Sequence, residues 1–338
     1  MVFVTGGTGL LGARIIFDLL NSGVPVRALK RESSDLSIIE STFKFYENES
    51  QKNNYESIEW VEGDITDIAS LNIAMQGVDK VYHCAAMVSF HPKARERMMH
   101  VNIQGTANVV NACIDNSVGK LCFASSVASL GRNTKGDPTT EETYWKSNSD
   151  NTNYSISKYA SEQEVWRGSE EGLDVVIVNP TIIIGPGNWK KSSARMFLNV
   201  WRGLDYYTSG RNGFVDIRDV SKAMILLMDS DIKSERYLLN SENLAFRDVF
   251  NWIADSLDKK RPTIEITKFK SEIFWRLDKL KSLLTGSKRS ITKEIARESG
   301  KVHAYSSEKI KKELNMEFIP IKKAIGDTGK IFLAQQSQ

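Results

Sequence analysis

Six short segments of this 338-residue chain are apolar at almost every position: MVFVT, VPVRAL, IEWVEGD, KVYHCAA, KLCFASS and DVVIVNP. A strand with one wet face alternates polar and apolar residues. These segments do not alternate, so each is expected to be covered on both sides, as strands of a parallel sheet are. Longer helical patterns separate them. Between the first two, Leu11, Ile15, Leu19 and Leu20 recur at helical spacing and stop at Asn21-Ser22-Gly23, which makes a βαβ unit. The predicted class is α/β, a doubly wound parallel sheet with helices on both faces.

The chain exceeds the about 100–200 residues of a typical single domain, and the regular alternation stops after Pro180. There GPGNWKKSSARMFLNVWRG crowds glycines, aromatics and cations together. Residues 1–180 are therefore read as the sheet domain. Residues 181–338 are read as a smaller, mostly helical, predominantly substrate-binding region, with 211–240 (strands FVDI and RYLLN) returning to the core. In KSEIFWRLDKLKSLLTG, Ile273, Phe274, Leu277, Leu280 and Leu284 share a helical face, predicting a helix packed over the substrate cleft. The polar insertion at 32–57 is too long for a βα loop and either carries a short helix or is mobile.

Forty-five basic residues against forty-two acidic ones, a net charge of +3, leave no field that would select nucleic acid. No apolar run approaches the about 20 residues that span a bilayer, and Met1 runs directly into a strand pattern. The expectation is a cytoplasmic protein with no membrane partner. Cys84, Cys113 and Cys122 have neither the number nor the spacing of a disulfide framework or a zinc site, and are read as buried thiols. His83 is read as packed within its strand. His91, His100 and His303 lack metal-ligand spacing, so no metal site is expected.

TGGTGLLG follows the first strand and opens the first helix. In that setting glycines let backbone N–H groups and a helix N-terminus approach a pyrophosphate. Two readings fit: Gly7, Gly9 and Gly12 as G-x-G-x-x-G, or Gly6, Gly9 and Gly12 as G-x-x-G-x-x-G. A site preferring NAD places a carboxylate at the tip of the second strand, against the ribose 2′-hydroxyl. Here that strand ends Arg27-Ala28-Leu29-Lys30-Arg31. A guanidinium pairs with a 2′-phosphate instead, so NADP is the expected cofactor and NAD the secondary choice.

NYSISKYASE places Tyr154 and Lys158 four residues apart, on one face of a helix. A phenol of ordinary pKa about 10 becomes a useful acid–base group if a neighbouring ammonium and an oxidised nicotinamide lower that value. FASSVASLG, at the end of the fifth strand, adds the hydroxyls of Ser125 and Ser126 where open α/β sheets bind ligands.

Taken in order, TGGTGLLG, GDITD, HCAA, VNIQGT, FASSVASLG, YSISK, NPTIIIGPG and FVDIRDV resemble the extended short-chain dehydrogenase/reductase superfamily over about residues 1–240. Within it the chain is most similar to the NAD(P)-dependent epimerase/dehydratase group and its reductase branch, the dihydroflavonol-reductase and 3β-hydroxysteroid-dehydrogenase-like proteins. VRALKR followed by serines is the nearest cue. The resemblance implies a Rossmann-type fold and a set of roles. Gly6 and Gly12 frame the cradle; Thr8, Gly9, Leu10 and Leu11 wrap the pyrophosphate; Arg31 meets the 2′-phosphate; Asp64 and Ile65 flank the adenine. Ala85 and Ala86 line the cleft, Pro180 and Thr181 bound the nicotinamide, and Asn102 helps to order the centre. Ser126, Tyr154 and Lys158 form the triad, with Lys158 also holding the nicotinamide ribose. Ser126 is preferred to Ser125 because it lies five residues before Gly131. A homodimer is a family-level expectation.

Three functions follow from these readings. The first is an NADP-dependent oxidoreductase that reduces a small-molecule carbonyl, aldehyde or ketone. The second is a nucleotide-sugar epimerase or dehydratase with the same triad, for which Lys190, Lys191, Arg195, Arg202, Arg211 and Arg218 would bind a diphosphate. The third is a nucleotide-sensing protein without turnover, which an intact triad argues against.

Overall fold

A computed structural model describes residues 1–46, 55–133, 136–148, 151–267, 275–276 and 300–336. The strands are β1 (Val2–Thr5), β2 (Val26–Lys30), β3 (Glu59–Glu62), β4 (Lys80–His83), β5 (Lys120–Ala124), β6 (Asp174–Pro180), β7 (Ile182–Ile184), β8 (Tyr206–Thr208), β9 (Arg211–Asp216), β10 (Glu235–Leu239), β11 (Glu242–Ala245) and β12 (Ile264–Ile266). The helices are α1 (Leu10–Asn21), α2 (Ser37–Phe45), α3 (Ile68–Ala74), α4 (Arg95–Met99), α5 (Gly105–Asp115), α6 (Asn153–Glu170), α7 (Arg195–Trp201), α8 (Ile217–Asp229), α9 (Phe246–Ser256), α10 (Glu308–Leu314) and α11 (Ile321–Gln336).

Seven parallel strands form the central sheet in the order β10-β6-β5-β4-β1-β2-β3. Successive side chains of a strand point to opposite faces, and β1 shows the result. Val2 and Val4 join the core with Ile15, Ile16 and Leu19 of α1 and Met224 of α8, while Phe3 joins Leu71 of α3, Val109 of α5 and Val165 of α6 on the other face. All six sequence-predicted strands form. β3 departs from the expected burial: it is the sheet edge, Glu59 and Glu62 are exposed, and Glu59 pairs with Arg27 at 2.7 Å. Charge on an edge strand discourages further pairing. The opposite edge, β10, is covered by Glu141, whose Oε1 accepts from Leu238 N at 2.7 Å.

FVDI falls in β9, which belongs to a separate three-stranded sheet, β11-β9-β7. RYLLN falls in β10 and extends the central sheet, while α8 between them packs on α1, Ser221 Oγ donating to Asp18 Oδ2 at 2.6 Å. A third core gathers Phe197 of α7, Phe214 of β9, Ile253 of α9 and Phe332 of α11. In the 32–57 insertion, α2 forms and docks through Phe43, edge-on to Phe17 at 5.3 Å. The helix expected at 271–284 lies outside the described residues apart from Trp275 and Arg276. Among the described residues no helix is long and apolar enough to cross a membrane, and no group of three His, Cys, Asp or Glu is placed to hold a metal.

Candidate active site

In an open parallel sheet, ligands bind outside the carboxyl ends of the strands where the strand order reverses. Here that point lies between β1 and β4, which pair with Thr5 opposite His83. Gly6, Ala85, Ser126 and Thr181 follow the carboxyl ends of β1, β4, β5 and β6 and so lie along this rim.

The glycine stretch makes the turn that joins β1 to α1. Gly6 has φ +73°, and a Cβ there would lie 2.6 Å from Ala85 N, so only glycine fits. A Cβ on Gly12 would lie 2.2 Å from Gly6 O, which lets α1 seat closely on the turn. At Gly9 a Cβ would meet only Gly6 O, at 3.1 Å, and the residue is exposed. Gly6, Gly9 and Gly12 thus supply the tight turn, the open backbone and the close helix packing. Of the two readings, the one through Gly6 fits, and Gly7 packs against Ile16 and Ala28. Gly9 is the N-cap of α1 and no side chain caps it, so the first amides of the helix face the cleft beside Thr8, Leu10 and Leu11. A dinucleotide pyrophosphate suits this cradle.

Arg31 follows the tip of β2, is exposed, and its guanidinium has no partner among the described residues; its backbone N–H donates to Ser34 Oγ at 3.0 Å. Asp64 is half-buried and accepts from Thr66 N and Oγ1 at 2.9 and 2.8 Å. Ile65 is a buried residue packed against Gly105, in the cluster with Leu29 and Leu71. Ala85 is half-buried and Ala86 exposed. Pro180 ends β6, and Thr181 Oγ1 donates to Leu239 O at 3.2 Å.

Thr152 caps α6, its Oγ1 accepting from Ser155 N at 3.0 Å, and so places Tyr154 and Lys158 in the first turns. The side chain of Ser126 faces the Tyr154 hydroxyl closely enough to favour its ionised form, and Phe90 packs edge-on to the tyrosine ring at 6.0 Å. Lys158 is buried, donates from Nζ to Ala124 O at 2.9 Å and lies 4.3 Å from the centre of the Phe123 ring. Burial raises the Tyr154 pKa above its ordinary value, with the Ser126 side chain pulling the other way. Burial also lowers Lys158 to about 8. The phenol keeps its proton because removal from water outweighs the neighbouring donors.

Ser125, the rejected serine, is committed elsewhere: its Oγ donates to buried Glu162 at 2.6 Å. Ser126 is half-buried and caps the turn Val127–Ser129, its Oγ accepting from Ala128 N at 3.1 Å.

Asn102 lies in a π-helical turn, His100–Gln104, before α5, and such bulges re-aim helix groups. Its amide brackets Met87: Met87 N donates to Oδ1 at 2.7 Å, and Nδ2 donates to Met87 O at 2.9 Å and to Ser157 Oγ at 3.0 Å. His83 reaches this point through hydroxyls. Thr106 Oγ1 donates to Asn102 O at 2.6 Å, so it accepts from His83 Nε2 at 3.0 Å, which leaves Nδ1 to accept from Thr5 Oγ1 at 2.7 Å. Burial lowers His83 to about 3 and raises Cys84 to about 12, so both are neutral. Cys84 is half-buried rather than buried, because it sits at the rim.

Residues 2–239 match the model of the NAD dependent epimerase/dehydratase family. The chain belongs to this family. It is 31% identical to sterol demethylase protein B of Methylococcus capsulatus, over 78% of this chain and 76% of that protein. It is 28% identical to cinnamoyl-CoA reductase 1 of Petunia hybrida, over 98% and 91%. The UDP-glucose 4-epimerase of Thermotoga maritima superposes with TM-score 0.77 at 18% identity, over 99% of both chains, a likeness of fold. Members of the epimerase/dehydratase family are NAD(P)-dependent enzymes, and this chain is one.

Of the six cations considered for a diphosphate, two are engaged in this family member. Arg218 forks onto Asp216 and Asp327 at 2.7 and 3.0 Å, and Arg211 donates to Asn243 O at 2.6 Å. Sequence reasoning missed Glu162, Asn179 and Arg236, which converge behind the serine turn. For Glu162 a signal existed: it stands four residues after Lys158, as Lys158 stands after Tyr154.

Proposed function

We propose that this chain is an NADP-dependent reductase of a carbonyl compound, an aldehyde or ketone. The observation that supports it most is the meeting of Ser126 and Tyr154 at the strand ends, with the phenol protonated. A carbonyl gaining a hydride needs a proton on oxygen, and a phenol that resists ionisation is a proton donor at neutral pH. Exposed Arg31, with no carboxylate on the tip of β2, supports the 2′-phosphorylated cofactor. The curated relative called a cinnamoyl-CoA reductase supports the reductive direction.

The reduced dinucleotide, when bound, supplies the hydride. The remaining work belongs to the chain. Ser126 Oγ donates to the carbonyl oxygen and polarises it. Tyr154 passes its proton to that oxygen as charge develops there. Lys158 spends one of its three donors on Ala124 O and keeps two for the nicotinamide ribose. Its charge steadies the phenolate that remains until the proton is replaced. Phe90 packs edge-on against the tyrosine ring and narrows its exposure to water.

The test is a panel of aldehydes, ketones and nucleotide sugars with NADPH or NADH. Net NADPH oxidation with a carbonyl, faster than NADH oxidation, is the expected result. Isomerisation of a nucleotide sugar without net oxidation would contradict the proposal and favour the epimerase.

A further inference from the structure

Tyr154, Lys158 and Glu162 follow one another at four-residue intervals along α6, so they lie along one helix face. The first two have roles in the proposed reaction. Glu162 has none there, yet it is 1% exposed, and a charge so buried is costly unless its lone pairs are filled. They are filled from three other elements. Oε2 accepts from Ser125 Oγ at 2.6 Å, Ser129 Oγ at 2.6 Å and Asn179 Nδ2 at 2.9 Å, and Oε1 lies 3.1 Å from the Arg236 guanidinium. Ser125 and Ser129 stand on either side of Ser126. Asn179 Nδ2 also reaches Ser126 O at 3.2 Å and precedes Pro180 at the end of β6. Arg236 comes from β10, at the far edge of the sheet.

A buried ion pair is rarely the most stable filling for a core, since apolar residues of equal volume pack as well. The knot around Glu162 does something an apolar filling would not. It fixes the turn that carries Ser126 against the helix that carries Tyr154, and it holds a carboxylate one helical turn beyond a buried ammonium, on the same face.

We infer that Glu162 is a positioning residue for the proposed reduction, on which this inference rests: its carboxylate pins the Ser126 turn to α6 and is the buried counter-charge of Lys158. The groups facing Lys158 bear this out. Tyr154 and Glu162 face it from its own helix, His83 and Cys84 from the end of β4, and the Phe123 ring and Ala124 carbonyl from β5. His83 and Cys84 are neutral, so Glu162 is the anion of the group. Arg236, on the far oxygen of Glu162, is its other cation. Burial depresses Lys158, and Glu162 is the largest influence in the opposite direction.

The test reads Lys158 directly. In protein labelled with ¹³C-lysine, the signal lost in Lys158→Met identifies Lys158, and its titration is followed by NMR without substrate. Glu162→Gln is expected to lower the titration midpoint by about one unit or more, and Arg236→Met to raise it, because one removes the anion and the other removes a competing cation. Folded Glu162→Gln is also expected to lose about tenfold or more in kcat, with dinucleotide KM changed less than about threefold. An unmoved midpoint in either folded variant, or movement of both in the same direction, overturns the inference, as does wild-type kcat in Glu162→Gln. If Glu162→Gln fails to fold, the direction of shift in Arg236→Met decides. Failure of the wild type to reduce any carbonyl would sink the reductase reading, while the titration would still judge the Lys158–Glu162 coupling.

Discussion

A phenol partly withdrawn from water gives up its proton reluctantly, and Tyr154, half-buried beside a serine side chain, is held in that condition. The choice between two adjacent serines follows from where their protons go. Ser125 donates to Glu162, leaving Ser126 to face the tyrosine. Ser126→Ala is therefore expected to lower kcat about 10²-fold, the usual loss on removing one donor to a developing oxyanion, with dinucleotide affinity unchanged in a fluorescence titration. Lys158 gives a pH dependence. Its ammonium is present below about 8 and lost above it, so kcat for reduction is expected to fall as pH rises through that value. A flat profile to pH 10 would contradict the role. Arg31→Ala is expected to weaken NADPH binding about tenfold to a hundredfold, by loss of a charge-assisted hydrogen bond, and to leave NADH binding unchanged; equal loss for both would move Arg31 off the 2′-phosphate. Tyr154 and Lys158 were legible in the sequence because a helix turns four residues of spacing into proximity. Asn179, Ser125 and Arg236 were not, because they reach Glu162 across 17, 37 and 74 residues, distances at which sequence spacing carries no geometry.

Among the elements, the β1 turn and α1 were the most readable. Glycines at a strand-to-helix junction have few uses, and the structure assigns each a distinct one. Gly12→Ala is expected to destabilise the fold by about 1–3 kcal/mol, as overpacking does, because the new methyl meets Gly6 O; it should weaken dinucleotide binding in the same titration. Stability and binding both at wild-type levels would mean that the close helix contact is dispensable. β3 was readable as a strand but not as an edge, since sheet order depends on crossovers that its own residues do not encode. FVDI was similarly read as core, whereas β9 pairs with β7 and β11; a four-residue apolar run does not say which sheet it joins. The π-helical turn at Asn102 left no sequence signal, because its shape is set by the bonds Asn102 makes to Met87 and Ser157.

For the whole molecule, the decisive arrangement is the return of the chain to its first half. β10 completes the sheet, and Arg236 from it meets Glu162 on α6. Under acid the same interior has a weak point. His83 titrates at about 3 in the fold against an ordinary 6.5, so below 6.5 the unfolded chain binds a proton that the native state refuses. Its contribution is complete above 6.5 and falls as pH drops toward 3. Thermal unfolding between about pH 7 and about pH 4 should accordingly show a steeper loss of Tm in the wild type than in His83→Gln; equal slopes would place the acid sensitivity elsewhere. The central claim is that Tyr154, aided by Ser126, gives its proton to a carbonyl beside the bound dinucleotide, and replacing that one oxygen tests it most directly. Tyr154→Phe, assayed by NADPH oxidation with the best carbonyl of the panel and by NADPH fluorescence for binding, is predicted to lose turnover by about 10²–10⁴-fold while binding NADPH nearly as the wild type does. Turnover close to that of the wild type in Tyr154→Phe would contradict the account.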